Sequence, residues 1–393
     1  MSETATTPDN GGTLSSGRMT SIAAAILSIS VVGIGLGLGL PLLSLVLEAR
    51  GISNTVIGLN AAVAGIVSIL ASAVIAPLAR RVGSARLLVA AILAVAVSFP
   101  MFYLSHSIAV WFALRVVFHG GIVVAFVLSE FWIIALAPPE RRGLVMGIYA
   151  SVLSLGLVVG PVLLGVVGSE TALPFVIGTV FFFAAAALPI VAYRSVPVVE
   201  KAPKLPLTGF VLAVPLATFG VLVFGAVESG SLAMLPLFGL RLGYDETTAA
   251  FLPATVNVGA VLLLIPLGIL ADRYDRRRLL LICGTVGLVG ALAIIPASAS
   301  PLALSIVLLI WGGIVAGLYT IGLTHLASRF QGDDLVAANA AFVLMYSLGM
   351  LVGPALIGAA LDVTAYGFPI ILSVMTGIYV VLVMVRLARR GTD

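Results

Sequence analysis

Five ionisable side chains interrupt otherwise apolar stretches of this chain: Arg115, His119, Glu130, Glu228 and His325. Carboxyls shielded from water can exchange protons near neutral pH. Imidazoles titrate naturally in that range, and a guanidinium can grip a carboxylate with two parallel hydrogen bonds. The set therefore suits proton coupling and ion recognition. Arg115 and His119 are four residues apart, and His119 and Glu130 eleven apart. At about 3.6 residues per turn the eleven-residue step returns to within roughly 20° of one direction, so Arg115, His119, Phe126 and Glu130 form one helical stripe. A charge at bilayer depth costs roughly 2.5–3.5 kcal/mol even on a lenient scale, so the stripe must face protein or water.

Other chemistry finds no residues to carry it. Three His and the single Cys283 give no metal-ligand spacing and no internal disulfide. No phosphate-cradling Gly-rich loop and no nucleophile elbow are visible. Neither a metal, a cofactor nor an enzymatic activity is expected.

The elements that must hold these residues follow from composition. Hydrophobic residues make up 61% of the 393 and charged residues only 9%, with a mean hydropathy of +1.24. That balance excludes a soluble enzyme and a disordered chain. A bilayer-crossing helix needs about 20 apolar residues, and twelve such runs are present, at 20–48, 55–79, 87–104, 108–136, 143–168, 171–193, 208–240, 247–271, 279–297, 301–328, 335–361 and 365–386. The expected fold is an all-α membrane protein of twelve transmembrane helices. Residues 1–17 are polar and read as a disordered cytoplasmic tail. The longest connection, Arg194 to Leu207, contains Pro197, Pro203 and Pro206. It divides an N-terminal six-helix bundle (18–194) from a C-terminal one (208–393), with 195–207 as a cytoplasmic linker.

Lys and Arg set the orientation. Seventeen fall on one side of the predicted spans: Arg18, Arg80, Arg81, Arg86, Arg141, Arg142, Arg194, Lys201, Lys204, Arg273, Arg276, Arg277, Arg278, Arg329, Arg386, Arg389 and Arg390. Only Arg50 and Arg241 fall on the other, and Arg115 lies within a span. Both termini are therefore expected in the cytoplasm, in an inner membrane. The net charge of +4 resides in short loops and does not point to nucleic acid.

The two halves repeat. Ser154-Leu-Gly-Leu-Val-Val-Gly-Pro-Val-Leu-Leu-Gly165 returns 193 residues later as Ser347-Leu-Gly-Met-Leu-Val-Gly-Pro-Ala-Leu-Ile-Gly358. Ala76-Pro-Leu-Ala-Arg-Arg-Val-Gly-Ser-Ala-Arg86 returns 192 residues later as Gly268-Ile-Leu-Ala-Asp-Arg-Tyr-Asp-Arg-Arg-Arg278. Six helices per repeat is an even number, so the repeats run parallel and face each other about an axis along the membrane normal. A substrate site near midplane between them supports alternating access.

At these motifs the chain resembles the major facilitator superfamily. Gly268-x-x-x-Asp272-Arg273-x-x-Arg276-Arg277 is similar to that family's loop between spans 8 and 9. The first-half copy departs, with Arg80 where the acid should stand. Leu114-Arg115-x-x-x-His119-Gly120 resembles the span 4 motif, and Gly156-x-x-x-Gly160-Pro161-x-x-x-Gly165 the span 5 motif of drug:proton antiporters. Gly353-Pro354 is its second-half counterpart. Leu128-Ser129-Glu130 and Asp334-Leu335-Val336-Ala337-Ala338-Asn339 resemble the YcaD-like subgroup. The resemblance implies that spans 1, 4, 7 and 10 line a central cavity, which places all five ionisable residues on lining helices. It also implies gating roles for Gly156, Gly160, Pro161, Gly268, Asp272, Arg273, Gly353 and Pro354.

Depth suggests two pairings. Arg115 and Glu228 both fall in the outer halves of spans 4 and 7, while Glu130 and His325 both lie toward the cytoplasm. Each could instead be a fixed structural contact. Phe126, Trp311, Tyr319 and Tyr346 are candidates to line the cavity, although Trp and Tyr in such chains often serve packing. Gly33/Gly37 and Gly35/Gly39 permit close helix approach. The reading that follows is a secondary active transporter, working as a functional monomer in the lipid bilayer, that exports a small apolar or amphiphilic compound in exchange for protons. A proton-coupled importer of a small organic anion, clasped by Arg115, is the alternative. A non-transporting receptor or scaffold is a third.

Overall fold

In lipid an apolar run satisfies most of its backbone N–H and C=O groups within its own helix, and the described residues are helical almost throughout. The computed structural model describes residues 16–137, 142–191, 207–330 and 332–388. The first half comprises α1 (Ser16–Ala49), α2 (Asn54–Val82), α3 (Ser84–Leu104), α4 (Ile108–Leu136), α5 (Arg142–Val167) and α6 (Leu173–Val191). The second comprises α7 (Leu207–Ala213), α8 (Pro215–Arg241), α9 (Glu246–Arg273), α10 (Arg276–Ala297), α11 (Pro301–Val315), α12 (Gly317–Ala327), α13 (Gly332–Val363) and α14 (Gly367–Ala388). Among the described residues twelve helices, with α11–α12 counted as one, are long and apolar enough to cross a membrane. Residues 1–15, most of the expected tail, lie outside the described residues, and α1 already begins at Ser16. The expected linker lies outside them except for Leu207, which opens α7. Arg141, Arg194, Lys201, Lys204, Arg389 and Arg390 are outside them as well.

Two predicted spans are broken. The seventh splits before Pro215, which has no N–H to continue the ladder; Thr218 Oγ1 instead donates to the carbonyls of Val211 and Val214 at 2.9 and 3.2 Å. The tenth tightens at Ala316, whose carbonyl accepts from Tyr319 three residues on at 3.2 Å. Loops are short and capped. Gly83, at φ +92°, both ends α2 and starts α3. Asp245 caps α9, accepting from the Thr248 N–H at 2.9 Å and its hydroxyl at 2.6 Å. These bonds, the hydroxyl first, hold the Asp245 carboxyl below its usual range, so the cap persists above that range and is lost as pH falls through the lowered value.

Glycine sets the helix spacing. Gly156 and Gly160 of α5 press on α1, where an added Cβ would meet the backbone of Ser30, Ile34, Gly37 and Leu38. Their repeat partners Gly349 and Gly353 of α13 press on Leu222 and Ala226 of α8. The remaining motif glycines reach across the halves: Gly165 abuts Phe251 of α9, and Gly358 meets Asn54 and Gly58 of α2. The repeat in sequence is thus a repeat in packing. Gly160→Ala is expected to cost about 1–3 kcal/mol, as overpacking does, and to lower the detergent melting temperature. Gly268→Ala, with nothing within 4 Å of its Cβ, should leave it unchanged or raise it slightly.

Candidate functional site

Two carboxyls, one in each half, stand beside tyrosine hydroxyls. Glu228 stands at the middle of α8 and accepts a hydrogen bond from the Tyr346 hydroxyl of α13. Glu130 of α4 is exposed, and the Tyr149 hydroxyl of α5 lies 3.5 Å from its Oε1, a long contact. Tyr319 of α12 lies within electrostatic reach of both carboxylates. Tyr319 and Tyr346 pack with Phe224 at ring separations of 5.4 to 6.2 Å. Tyr319 is still 36% exposed. Among the described residues no basic side chain forms an ion pair with either Glu.

Arg115 does not pair with Glu228. It is only 1% exposed, and its Nε and Nη1 have no hydrogen-bond partner; His119, 3% exposed one turn below, leaves Nδ1 likewise unpartnered. Depth gives the reason. At about 1.5 Å per residue, Arg115 sits roughly 10 Å from the end of α4 nearest it, and Glu228 roughly 20 Å from the corresponding end of α8. The sequence reading put Glu228 in the outer half because it counted α7 and α8 as one span. The break at Pro215 shortens the helix at its basic end, so Glu228 falls at the middle of α8 while its distance from Arg241 is unchanged. Asn60 of α2 is buried at nearly the depth of Arg115, with its Nδ2 unpartnered too.

His325 does not meet Glu130. Six residues on an α-helix turn through about 600°, so with Tyr319 on the cavity His325 points some 120° away. It lines a pocket with Arg277, Arg329 and Arg386 at the basic end of the second half. Trp311 does not line the cavity: it is 1% exposed and its indole donates to the Gly287 carbonyl of α10 at 2.9 Å. Phe126 is half-buried and packs on the main hydrophobic core. Tyr319 and Tyr346 pack edge to face on each other, 6.2 Å apart. Asp272 and Arg273, exposed, border a depression at the basic end, and Asp275 rather than Asp272 caps α10, accepting from the Arg277 and Arg278 N–H groups.

The sequence reading passed over a charged clamp at the end opposite the basic loops. Asp362 at the close of α13 receives four hydrogen bonds from the start of α2: the Asn54 N–H and Nδ2 at 2.9 Å, and the Thr55 N–H and hydroxyl at 2.8 and 2.6 Å. It caps a helix of the other half, where a carboxylate meets the positive end of the dipole. Arg241 lies 3.9 Å from both Asp362 and Glu48 of α1. Glu246 of α9 accepts from the Ser169 N–H at 2.7 Å. Arg50 ties the α1–α2 turn to the carbonyls of Ser105 and Tyr103 and lies 5.2 Å from the Trp111 ring centre. One signal was available: Arg50 and Arg241 are the two bases on this end, with Glu48, Glu246 and Asp362 at neighbouring span ends.

The model of the Major Facilitator Superfamily matches residues 25–256 and 217–392. The uncharacterized MFS-type transporter YfkF of Bacillus subtilis (strain 168) is 28% identical over 342 residues, covering 84% of this chain and 85% of YfkF. The uncharacterized MFS-type transporter YcaD of Salmonella paratyphi B is 26% identical over 249 residues, 62% of this chain and 63% of YcaD. In three dimensions the chain is similar to the nucleoside transporter NupG, with a TM-score of 0.73 at 12% identity over 95% of this chain and 99% of that one. It is also similar to a bacterial homologue of the human lysosomal transporter Spinster in an inward-facing, occupied conformation, with a TM-score of 0.76 at 14% identity over 96% and 98%.

Proposed function

The chain belongs to the Major Facilitator Superfamily, and from that membership we propose that this transporter exports a small amphiphilic compound, neutral or cationic, in exchange for protons. The observation that carries the reading is the pair of carboxyls, Glu130 and Glu228, one from each half and each beside a tyrosine hydroxyl, with no basic partner in an ion pair among the described residues. An aromatic wall attracts a cation or an aromatic ring. A carboxylate beside it can hold either the cation or a proton, and that competition is what exchange requires. In this reading Glu228 and Glu130 hold proton and substrate in turn. In this reading the protein works as a monomer in an inner membrane, and the excess of Lys and Arg supports a cytoplasmic basic end. The clamp at the far end then closes the outside while the cavity communicates with the inside, as in an inward-facing state.

A second reading rests on Arg115, whose buried Nε and Nη1 lack partners: a proton-coupled importer of a small organic anion, with Arg115 clasping its carboxylate. A thermal-shift screen of the purified protein at two pH values separates the two. Export predicts stabilisation by lipophilic cations or neutral amphiphiles that is lost in Glu228→Gln or Glu130→Gln. Stabilisation by small carboxylates that is lost in Arg115→Ala would overturn it in favour of import.

A further inference from the structure

The basic end of the second half carries a cavity that neither Glu130 nor Glu228 lines. It is about 50 Å³ in volume and is lined by Arg277 from the first turn of α10, Arg329 just beyond α12, Arg386 from the last turn of α14, and His325. Its remaining wall includes Val214 and Pro215, where the 27-residue α8 begins. Three guanidiniums therefore share one small space with the positive end of a helix dipole, and no acidic side chain lines it among the described residues. Asp272 and Asp275 border only the wider depression outside, and Asp275 is committed to the α10 N-cap. Like charges that converge without a carboxylate are stabilised by an anion, and guanidiniums match phosphate oxygens in geometry.

We infer that this cavity binds the phosphate of an anionic phospholipid. Arg277, Arg329 and Arg386 all stand at helix ends, where the membrane surface lies. Below them α14 presents Val381, Met384 and Val385 outward, at 55%, 48% and 44% exposure, as acyl chains require. Basic pockets between transmembrane helices are suited to lipid headgroups, each Arg near the surface contributing about fivefold in affinity.

The full chain in nanodiscs of phosphatidylcholine, with and without phosphatidylglycerol, tests this by bound-lipid analysis and thermal midpoint. Phosphatidylglycerol is expected to be retained preferentially and to raise the midpoint. The triple variant Arg277→Gln, Arg329→Gln, Arg386→Gln should weaken that preference on the order of 100-fold. Arg81→Gln with Arg86→Gln, which removes equal charge per site from exposed positions of the first half, should leave it intact. Arg329→Gln alone, beyond the end of α12, gives an intermediate loss should the triple variant fold poorly. Inorganic phosphate and glycerol phosphate form the soluble arm. Stabilisation by these without any lipid preference would overturn the lipid assignment in favour of a soluble phosphate. Equal lipid preference in the wild type and in Arg329→Gln would overturn the site itself.

Discussion

Asp362→Ala should open the end of the molecule opposite the basic loops. The Asp362 carboxylate accepts four hydrogen bonds from Asn54 and Thr55 across the boundary between the halves, and Arg241 stands 3.9 Å from it. Hydrogen bonds to a charged group contribute about 1.5–3 kcal/mol each when buried. Those to Thr55 are exposed and worth less, and the Arg241 pair at 41% and 28% exposure is worth little. A net loss of about 2 kcal/mol shifts the balance between closed and open arrangements roughly 30-fold. Spin labels at His106→Cys and Ser300→Cys, in the α3–α4 and α10–α11 loops of opposite halves, would measure it. The buried Cys283 would be replaced by Ser. Distances should lengthen in Asp362→Ala and return in Asp362→Glu. An unchanged distribution would show that apolar packing of Gly58 and Gly65 against α13, and not the clamp, holds this end shut.

Glu228→Gln should abolish proton-driven flux while leaving the fold intact. Glutamine keeps the shape of the side chain and can still accept from the Tyr346 hydroxyl, but it carries no titratable proton. Binding of a cationic ligand should weaken by about 2 kcal/mol, roughly 30-fold, from the loss of one charge-assisted contact. In proteoliposomes the variant should show exchange that no longer responds to a pH gradient. Tyr346→Phe is the informative companion: it removes the donor while the carboxyl remains, so coupling should survive with altered pH dependence. Gradient-driven flux persisting in Glu228→Gln would move the coupling role to Glu130.

How much of this was legible in the sequence can be read residue by residue. The five intramembrane ionisable groups were conspicuous because charge in an apolar run is costly and rare. The Gly-x-x-x-Gly-Pro repeat announced both its own packing and the symmetry of the halves. Tyr319 and Tyr346 were on the candidate list, yet Trp311 was too, and nothing in its local sequence distinguishes a Trp bonded to the Gly287 carbonyl from one that faces a cavity. Phe224 was not singled out at all. An aromatic residue within an apolar helix carries no mark of which neighbour it meets.

Helix number, the parallel repeat and the uneven distribution of Lys and Arg follow from local rules, because hydropathy and charge act on each segment of the chain independently. Pairing does not. The expected partners, Arg115 with Glu228 and Glu130 with His325, failed on depth and on direction. A break at Pro215 and a tightening at Ala316 changed where the helices began and how they were turned. Glu228 instead took Tyr346, 118 residues away, and Asp362 took Asn54, 308 residues away. Contacts at such separations depend on the relative rotation and height of whole helices, and close packing at glycines distributed along both halves decides those.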